Sequence, residues 1–252
     1  MGDPASQKNR AQAPKSEMSR QPKKLFMKKM IFISSVFFLL FSTASIAQNA
    51  RIGVTGGLNF SNLSRTIGGI DKDGDYRIGL IGGMMLDVPL CKKSPISFQP
   101  DFRYTQKGTA EKLLTPTVKN YVALRYAELA TNFVYNFNNK GGGTFYLGAG
   151  PYLALPLPSK KVEKVAGSPK VLTDISFGNL AANDYKGVDY GADFVMGYRN
   201  KAGIFVGLNY TQGARNLVPN EVLDIPASKN DKVKNIAFGI RVGFLFKSDS
   251  KK

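Results

Sequence analysis

The chain has 252 residues, with 35 Lys and Arg against 18 Asp and Glu, for a formal charge of +17. It has no His, no Trp and one Cys, which excludes a His-dependent catalytic triad, a His metal site, an intrachain disulfide and a four-cysteine zinc site. Most enzyme classes weaken on composition alone.

The first segment in chain order is a leader. Residues 1–26 are polar and pattern-free and are expected to be non-structural. Lys23, Lys24, Lys28 and Lys29 precede the apolar block Met30–Phe41, and small residues follow at Ser45 and Ala47. Residues 27–47 therefore read as a secretory signal cut after Ala47, since the apolar block is short of the ~20 residues a spanning helix needs. Residues 48–252 are left as one domain.

All but one of the 26 glycines lie in that domain, many inside hydrophobic runs where each would cost a helix about 1 kcal/mol. The runs alternate with period two, the signature of strands. Ile52, Val54, Leu58 and Phe60 oppose Gly53, Thr55, Gly57 and Asn59. In the second run Ile78, Leu80, Met84, Leu86 and Val88 oppose Arg77, Gly79, Gly83 and Asp87, with Ile81 and Met85 out of pattern. The third sets Ile96, Phe98, Pro100, Phe102 and Tyr104 against Ser97, Gln99, Asp101, Arg103 and Thr105, and Pro100 predicts an edge or a bulge.

The fourth run sets Leu129, Phe133, Tyr135 and Phe137 against Glu128, Ala130, Asn132 and Asn136, and the fifth sets Phe145, Leu147, Leu153 and Leu155 against Tyr146, Gly148, Gly150 and Tyr152. The sixth sets Tyr190, Phe194, Met196 and Tyr198 against Asp189, Gly191, Asp193 and Arg199. In the seventh Ile204, Val206, Leu208 and Tyr210 oppose Gly207, Asn209 and Thr211, with Phe205 out of pattern. The eighth sets Ile236, Phe238, Ile240, Val242, Phe244 and Phe246 against Asn235, Gly239, Arg241 and Gly243.

The connections alternate in length. Ser61–Tyr76, Lys107–Asn120, Pro156–Lys186 and Gln212–Lys234 are long, whereas Pro89–Ser94, Asn138–Gly143 and Asn200–Ala202 are short. An even number of strands with one apolar face, one polar and glycine-rich face and alternating loop lengths predicts an all-β, eight-stranded antiparallel transmembrane β-barrel, with short periplasmic turns and long extracellular loops, in the outer membrane of a Gram-negative bacterium. A soluble sandwich or lipocalin-like barrel also alternates, but its apolar face turns inward and its loops need not alternate in length. Aromatics near strand ends, among them Phe60, Tyr104, Phe137, Tyr198, Tyr210 and Phe244, fit interfacial girdles, although β-propensity enriches them too.

The segment Phe98-Gln99-Pro100-Asp101-Phe102-Arg103-Tyr104-Thr105-Gln106-Lys107-Gly108 resembles the most recognisable stretch of the PorT-like outer-membrane β-barrel proteins, an apolar-Gln-Pro-acid run closing in Tyr-x-Gln-Lys-Gly. Tyr126-Ala127-Glu128-Leu129, Gly150-Pro151-Tyr152, Asp189-Tyr190-Gly191 and the stretch Tyr210–Leu217 resemble further segments of that family in order. Ala130 departs from a usual Pro, and six residues follow Phe246 where the family stops at the aromatic. The resemblance implies an eight-stranded outer-membrane barrel, a link of some members to protein secretion, and no catalytic residues.

Two constellations carry chemistry. Asp71, Asp73 and Asp75 resemble the start of an EF-hand loop and are a weak calcium candidate, but Tyr76 stands where Gly is needed and Gly82 where a bidentate Glu belongs. Asp101, Arg103, Glu128, Asp189, Asp193 and Arg241 fall on the inward face as a polar network, either a substrate path or, more simply, paired charges filling a narrow interior. Asp189 and Asp193 share a strand and a face, which suits lumen filling better than glycosidase chemistry.

The scattered loop lysines, including Lys92, Lys93, Lys140, Lys160 and Lys161, fit lipid headgroups or lipopolysaccharide phosphates better than nucleic acid, for which no motif is present. Cys91 is assigned no role and no cofactor is expected. The expected function is a non-enzymatic barrel acting through loops or rim as a component of protein secretion or envelope assembly, with secretion or envelope proteins as partners. The alternatives are a structural or adhesive surface barrel and, behind it, an outer-membrane enzyme or small pore.

Overall fold

The computed structural model describes residues 50–91, 94–110, 118–138, 142–165 and 167–246. The expected leader, with its boundaries at 26 and 47, lies outside these residues, as do Lys92, Lys93 and Lys140. Ten strands run β1 (Arg51–Ile67), β2 (Ile70–Asp71), β3 (Arg77–Pro89), β4 (Ile96–Ala110), β5 (Val118–Asn138), β6 (Thr144–Val165), β7 (Val171–Asp174), β8 (Asp189–Arg199), β9 (Ile204–Gly213) and β10 (Lys232–Leu245) among the described residues. Every pairing between them is antiparallel, and eight strands close a ring in the order β1-β3-β4-β5-β6-β8-β9-β10, with β10 returning to β1. β2 only pairs the end of β1 and β7 only the end of β6. No helix among these residues is long and apolar enough to cross a membrane.

The inside and outside faces follow the alternation read from the sequence. On β9, Ile204, Val206 and Leu208 are exposed while Phe205, Gly207 and Asn209 are buried; on β10, Phe238, Ile240 and Val242 are exposed while Gly239 and Arg241 are buried. The residues out of pattern obey the same rule. Ile81, Met85 and Phe205 occupy inward positions and are 3%, 7% and 3% exposed. They line the interior because a filled lumen needs apolar volume between its charges as well as partners for them.

Pro100 is neither at an edge nor at a bulge. It pairs Thr131 of β5, and on the β3 side the ladder stops at Met85↔Asp101 and resumes at Val88↔Phe98 with its register unchanged. The missing proline N–H thus costs a gap in one ladder rather than a shift.

Strand length is the larger departure. β5 and β6 have 21 and 22 residues, about twice the 9–11 that span a bilayer, so their outer halves stand beyond it. Much of the stretches read as loops at Lys107–Asn120 and Pro156–Lys186 is therefore ribbon: β5 and β6 pair out to Val118↔Val165, past a register shift between Ala123 and Arg125, and β7 adds to β6. The β1–β2 hairpin turns through Gly68 and Gly69, at φ of 59° and 79°, the paired positive angles of a two-residue turn that glycine adopts without strain.

Aromatic pairs mark two levels on the outer surface. Near the short turns stand Tyr135–Phe137, Phe145–Tyr198 and Phe244–Phe246, with centroids 4.6, 4.8 and 5.0 Å apart. Towards the long loops stand Tyr210–Phe238 and Tyr76–Phe238, at 4.7 and 6.5 Å. The stretch from Ile204 to Tyr210 between these levels covers about 20 Å along a strand, close to the ~25 Å band of such barrels.

Leu208 and Ile240 are ladder partners in the middle of this band. Leu208→Arg or Ile240→Arg is expected to cost about 2–4 kcal/mol, and Ile204→Arg at the rim about 0–1 kcal/mol. Folded fractions read across a urea series from heat-modifiable migration on a detergent gel check this. Equal losses at all three positions would refute the assigned depth.

Candidate functional site

The interior is held by one guanidinium. Arg103 projects inward from β4 and is fully buried. Its Nε donates to Glu128 Oε1 on β5 at 2.8 Å, one terminal nitrogen donates to Asp193 Oδ1 on β8 at 2.8 Å, and the other donates to Asp101 Oδ2 at 3.2 Å. Asp193 is completed by the Asn132 amide at 2.8 Å, and Asp101 also accepts from Arg241 of β10. Arg103 thus reaches from β4 to β8 and Arg241 from β10 to β4, so the bonds cross the lumen as well as follow its wall.

Towards the long loops the network continues through Lys107. Its ammonium sits 2.7 Å from Glu128 Oε2 and 4.2 Å from the centre of the Tyr152 ring. The Tyr152 hydroxyl donates to Asp189 Oδ2 at 3.0 Å, and the Asn235 amide donates to the same oxygen at 2.9 Å. Towards the short turns Asp87 forms a second node. Its Oδ2 accepts from both Arg51 and Arg199, the latter at 3.3 Å, and its Oδ1 accepts from Gln99 at 2.9 Å.

Asp87, Asp101, Glu128, Asp189 and Asp193 face Arg51, Arg103, Lys107, Arg199 and Arg241, and ion pairing offsets the desolvation of each group. Between the two nodes stands Tyr146, seated against the paired glycines Gly197 and Gly207. A Cβ at either would lie 2.4 Å from its hydroxyl.

All six predicted network residues, Asp101, Arg103, Glu128, Asp189, Asp193 and Arg241, come together here, none more than 5% exposed. Asp87, Lys107, Arg51 and Arg199 were not in that prediction. The sequence puts Lys107 at the start of a long connection, yet it continues the odd-numbered inward series of β4 after Arg103 and Thr105, and that alternation is the signal for it. The calcium candidate does not assemble. Asp71 Oδ1 accepts from the Thr66 hydroxyl, Asp73 Oδ1 accepts from the Arg65 N–H, and the Asp75 backbone bridges Ala110. Among the described residues no three His, Cys, Asp or Glu converge to hold a metal ion.

Above the ion pairs the interior turns apolar. Leu63, Leu124, Tyr126, Leu217 and Val233 form a buried cluster, and Ile175, Phe177 and Tyr185 from the β7–β8 connection pack against it. Backbone bonds from Lys186 N–H to Leu217 O and from Leu217 N–H to Val233 O, both 2.8 Å, tie two long loops across the outer mouth. Lys186 lies under this cap, and its burial, with Arg215 second, pushes its ammonium below the usual lysine pKa.

Residues 46–218 match the family model described as outer membrane protein beta-barrel domain. No curated protein matches the chain. Among solved structures it is similar to Neisserial surface protein A at 11% identity, covering 77% of this chain and 97% of that one, with a TM-score of 0.39. It is also similar to Ail, the attachment invasion locus protein of Yersinia pestis, at 11% identity over 79% of this chain and 99% of that one, with a TM-score of 0.40. The N-terminal beta-barrel domain of Pseudomonas aeruginosa OprF is similar at 10% identity over 77% and 97%, with a TM-score of 0.30.

Arg103→Met leaves three buried carboxylates short of a partner and is expected to destabilise the barrel by about 3–5 kcal/mol. Adding Asp193→Asn, whose amide oxygen can still accept from Asn132, is expected to recover part of that loss. Urea midpoints at constant slope measure both. A single variant within about 0.5 kcal/mol of the parent would show that the network is not what holds the interior.

Proposed function

We propose that this chain, which belongs to the outer membrane protein β-barrel domain family, is a non-enzymatic barrel that works through its loops and rim as a component of protein secretion or envelope assembly. It sits in the outer membrane, spanning it with eight strands whose apolar face meets lipid. The observation that carries the proposal is the interior. An eight-stranded ring leaves room for side chains and little else, and here that room is crossed by the Arg103 and Arg241 ion pairs and capped by the Leu63–Leu217 cluster. Passage of a polypeptide would require opening the hydrogen-bonded wall, at several kcal/mol for each unsatisfied backbone group. Contact with partners is left to the two ends.

The outer end offers contact surface. Ile70, Val171, Leu172, Leu180 and Ile225 are at least about half exposed on loops and short ribbons beyond the bilayer, where solitary apolar side chains have no lipid to cover them. The resemblance to PorT-like barrels supports a secretion role. Much of the long connection Pro156–Lys186 is tied down: residues 156–165 belong to β6, residues 171–174 to β7, and Ile175, Phe177 and Tyr185 are packed on the cap. Gly167–Lys170 and Leu180–Ala182 are exposed and lie outside the strands. A structural or adhesive role at the cell surface is the second reading. It is favoured by the protruding β5–β6–β7 ribbon, whose Lys160, Lys161, Lys164 and Lys170 suit lipopolysaccharide phosphates.

Purified protein in planar bilayers is expected to show no large steady conductance. In a strain lacking the gene, a variant with residues 167–170 and 180–182 replaced by Gly and Ser is expected to fold but not to restore the wild-type profile of secreted and surface proteins. A steady conductance abolished by charge reversal at Arg241, or full restoration by the loop variant, would overturn the proposal.

A further inference from the structure

The end of the barrel at the short turns holds a polar cavity of about 420 Å³, a size typical of small-ligand sites. Arg51 of β1 and Arg199 of β8 enter it from different walls, with Lys201 at its rim, and Ser94, Ser97, Asn136 and Thr144 supply much of the remaining polar lining. Among the described residues none that lines it is an Asp or Glu. The turn sequences 90–95, 139–143 and 200–203 contain none either.

The one carboxylate in reach among the described residues is already spent. Asp87 Oδ2 accepts from both arginines and Oδ1 from Gln99, so two guanidinium groups share one anion and each has only Asp87 as a hydrogen-bond partner among the described residues. Counting Lys201, three cations face one carboxylate. Arg199 is 6% exposed, so its charge is held in place rather than free to swing into solvent. Arginine forks left with open N–H groups in a partly desolvated cavity favour carboxylate or phosphate oxygens.

A second feature narrows the choice. Asn136, 8% exposed, donates through Nδ2 to Ser97 Oγ at 2.8 Å and to Pro95 O at 3.1 Å, but its buried Oδ1 has no hydrogen-bond partner. A carboxylate alone cannot supply the missing donor. An acidic peptide supplies both groups, its carboxylates for the arginines and its backbone N–H for Asn136. Phospholipid headgroups lie outside the ring of strands, whereas this cavity lies within it.

We propose that the cavity at the periplasmic mouth binds an acidic peptide segment, through Arg51, Arg199 and Lys201 with Asn136 as acceptor. The inference rests on the reading that the barrel works at its ends, and its test does not use the secretion phenotype. The mature full-length barrel in zwitterionic detergent is titrated into fluorescein-labelled hexaglutamate and followed by anisotropy at physiological ionic strength. Saturable binding is expected, weakened about tenfold or more by Lys201→Glu and by Arg51→Gln, and unchanged by Lys160→Glu with Lys161→Glu at the outer end. Lys201 is exposed, so its variant carries the test if Arg51→Gln does not fold. No saturable binding, equal loss in the outer-end variant, or displacement as effective by inorganic phosphate or phosphatidylglycerol micelles as by unlabelled hexaglutamate would overturn the proposal.

Discussion

The Arg103 guanidinium, bonded to carboxylates from β4, β5 and β8, is the interaction on which the rest of the barrel depends. Eight strands enclose a space too narrow for bulk water and too polar along its walls for an apolar core. Each inward carboxylate must then find a cation on another strand, and each pair found fixes the spacing and register of the two strands that bear it. A slip of one residue in β4 would turn Arg103 towards lipid and bring Phe102 or Tyr104 into the lumen. The network therefore specifies register as well as offsetting the cost of its own burial.

Outward from that layer the two ends diverge in character. Towards the long loops the lumen becomes apolar and is closed by chain that folds back on itself, with β5 and β6 continuing past the bilayer as a ribbon that β7 widens. Towards the short turns it stays polar and cationic, held by Asp87 and its two arginines. One end is shaped for exposure of a folded surface, the other for a recessed pocket, and the ion-paired middle layer separates them.

Most of the transmembrane wall was legible because lipid outside and packed polar groups inside impose strict alternation. The eight runs, their faces and the six network residues all follow from it. Legibility failed where another constraint took over. Ile81, Met85 and Phe205 looked irregular because inward positions were equated with polar ones, whereas the lumen also needs apolar filling. The lipid-facing pattern ends at Lys107 and at Pro156, which in sequence has the look of loop; the strands persist by pairing with each other beyond the membrane, where polar side chains are as acceptable on one face as on the other. Pro100 signalled an interruption, and the interruption is a gap in hydrogen bonding that periodicity does not resolve. The Asp87 node joins residues from β1, β3, β4 and β8, a convergence that only the closed ring creates.

The seam at which the ring closes has a consequence for how the chain reaches this state. β1 pairs β10 from Gly53↔Leu245 to Thr66↔Lys232, and the Phe246 N–H adds a bond to Ile52 O beyond the last strand. These partners stand at opposite ends of the domain, about as non-local as contacts in a chain of this length can be, and non-local pairing is slow. Until β10 arrives, β1 is an open edge of long, apolar, β-prone sequence, the kind that pairs with whatever strand is nearest. The vulnerable stage of this molecule is therefore its transit as an unsealed sheet, when the edge of β1 stays open until the last strand docks.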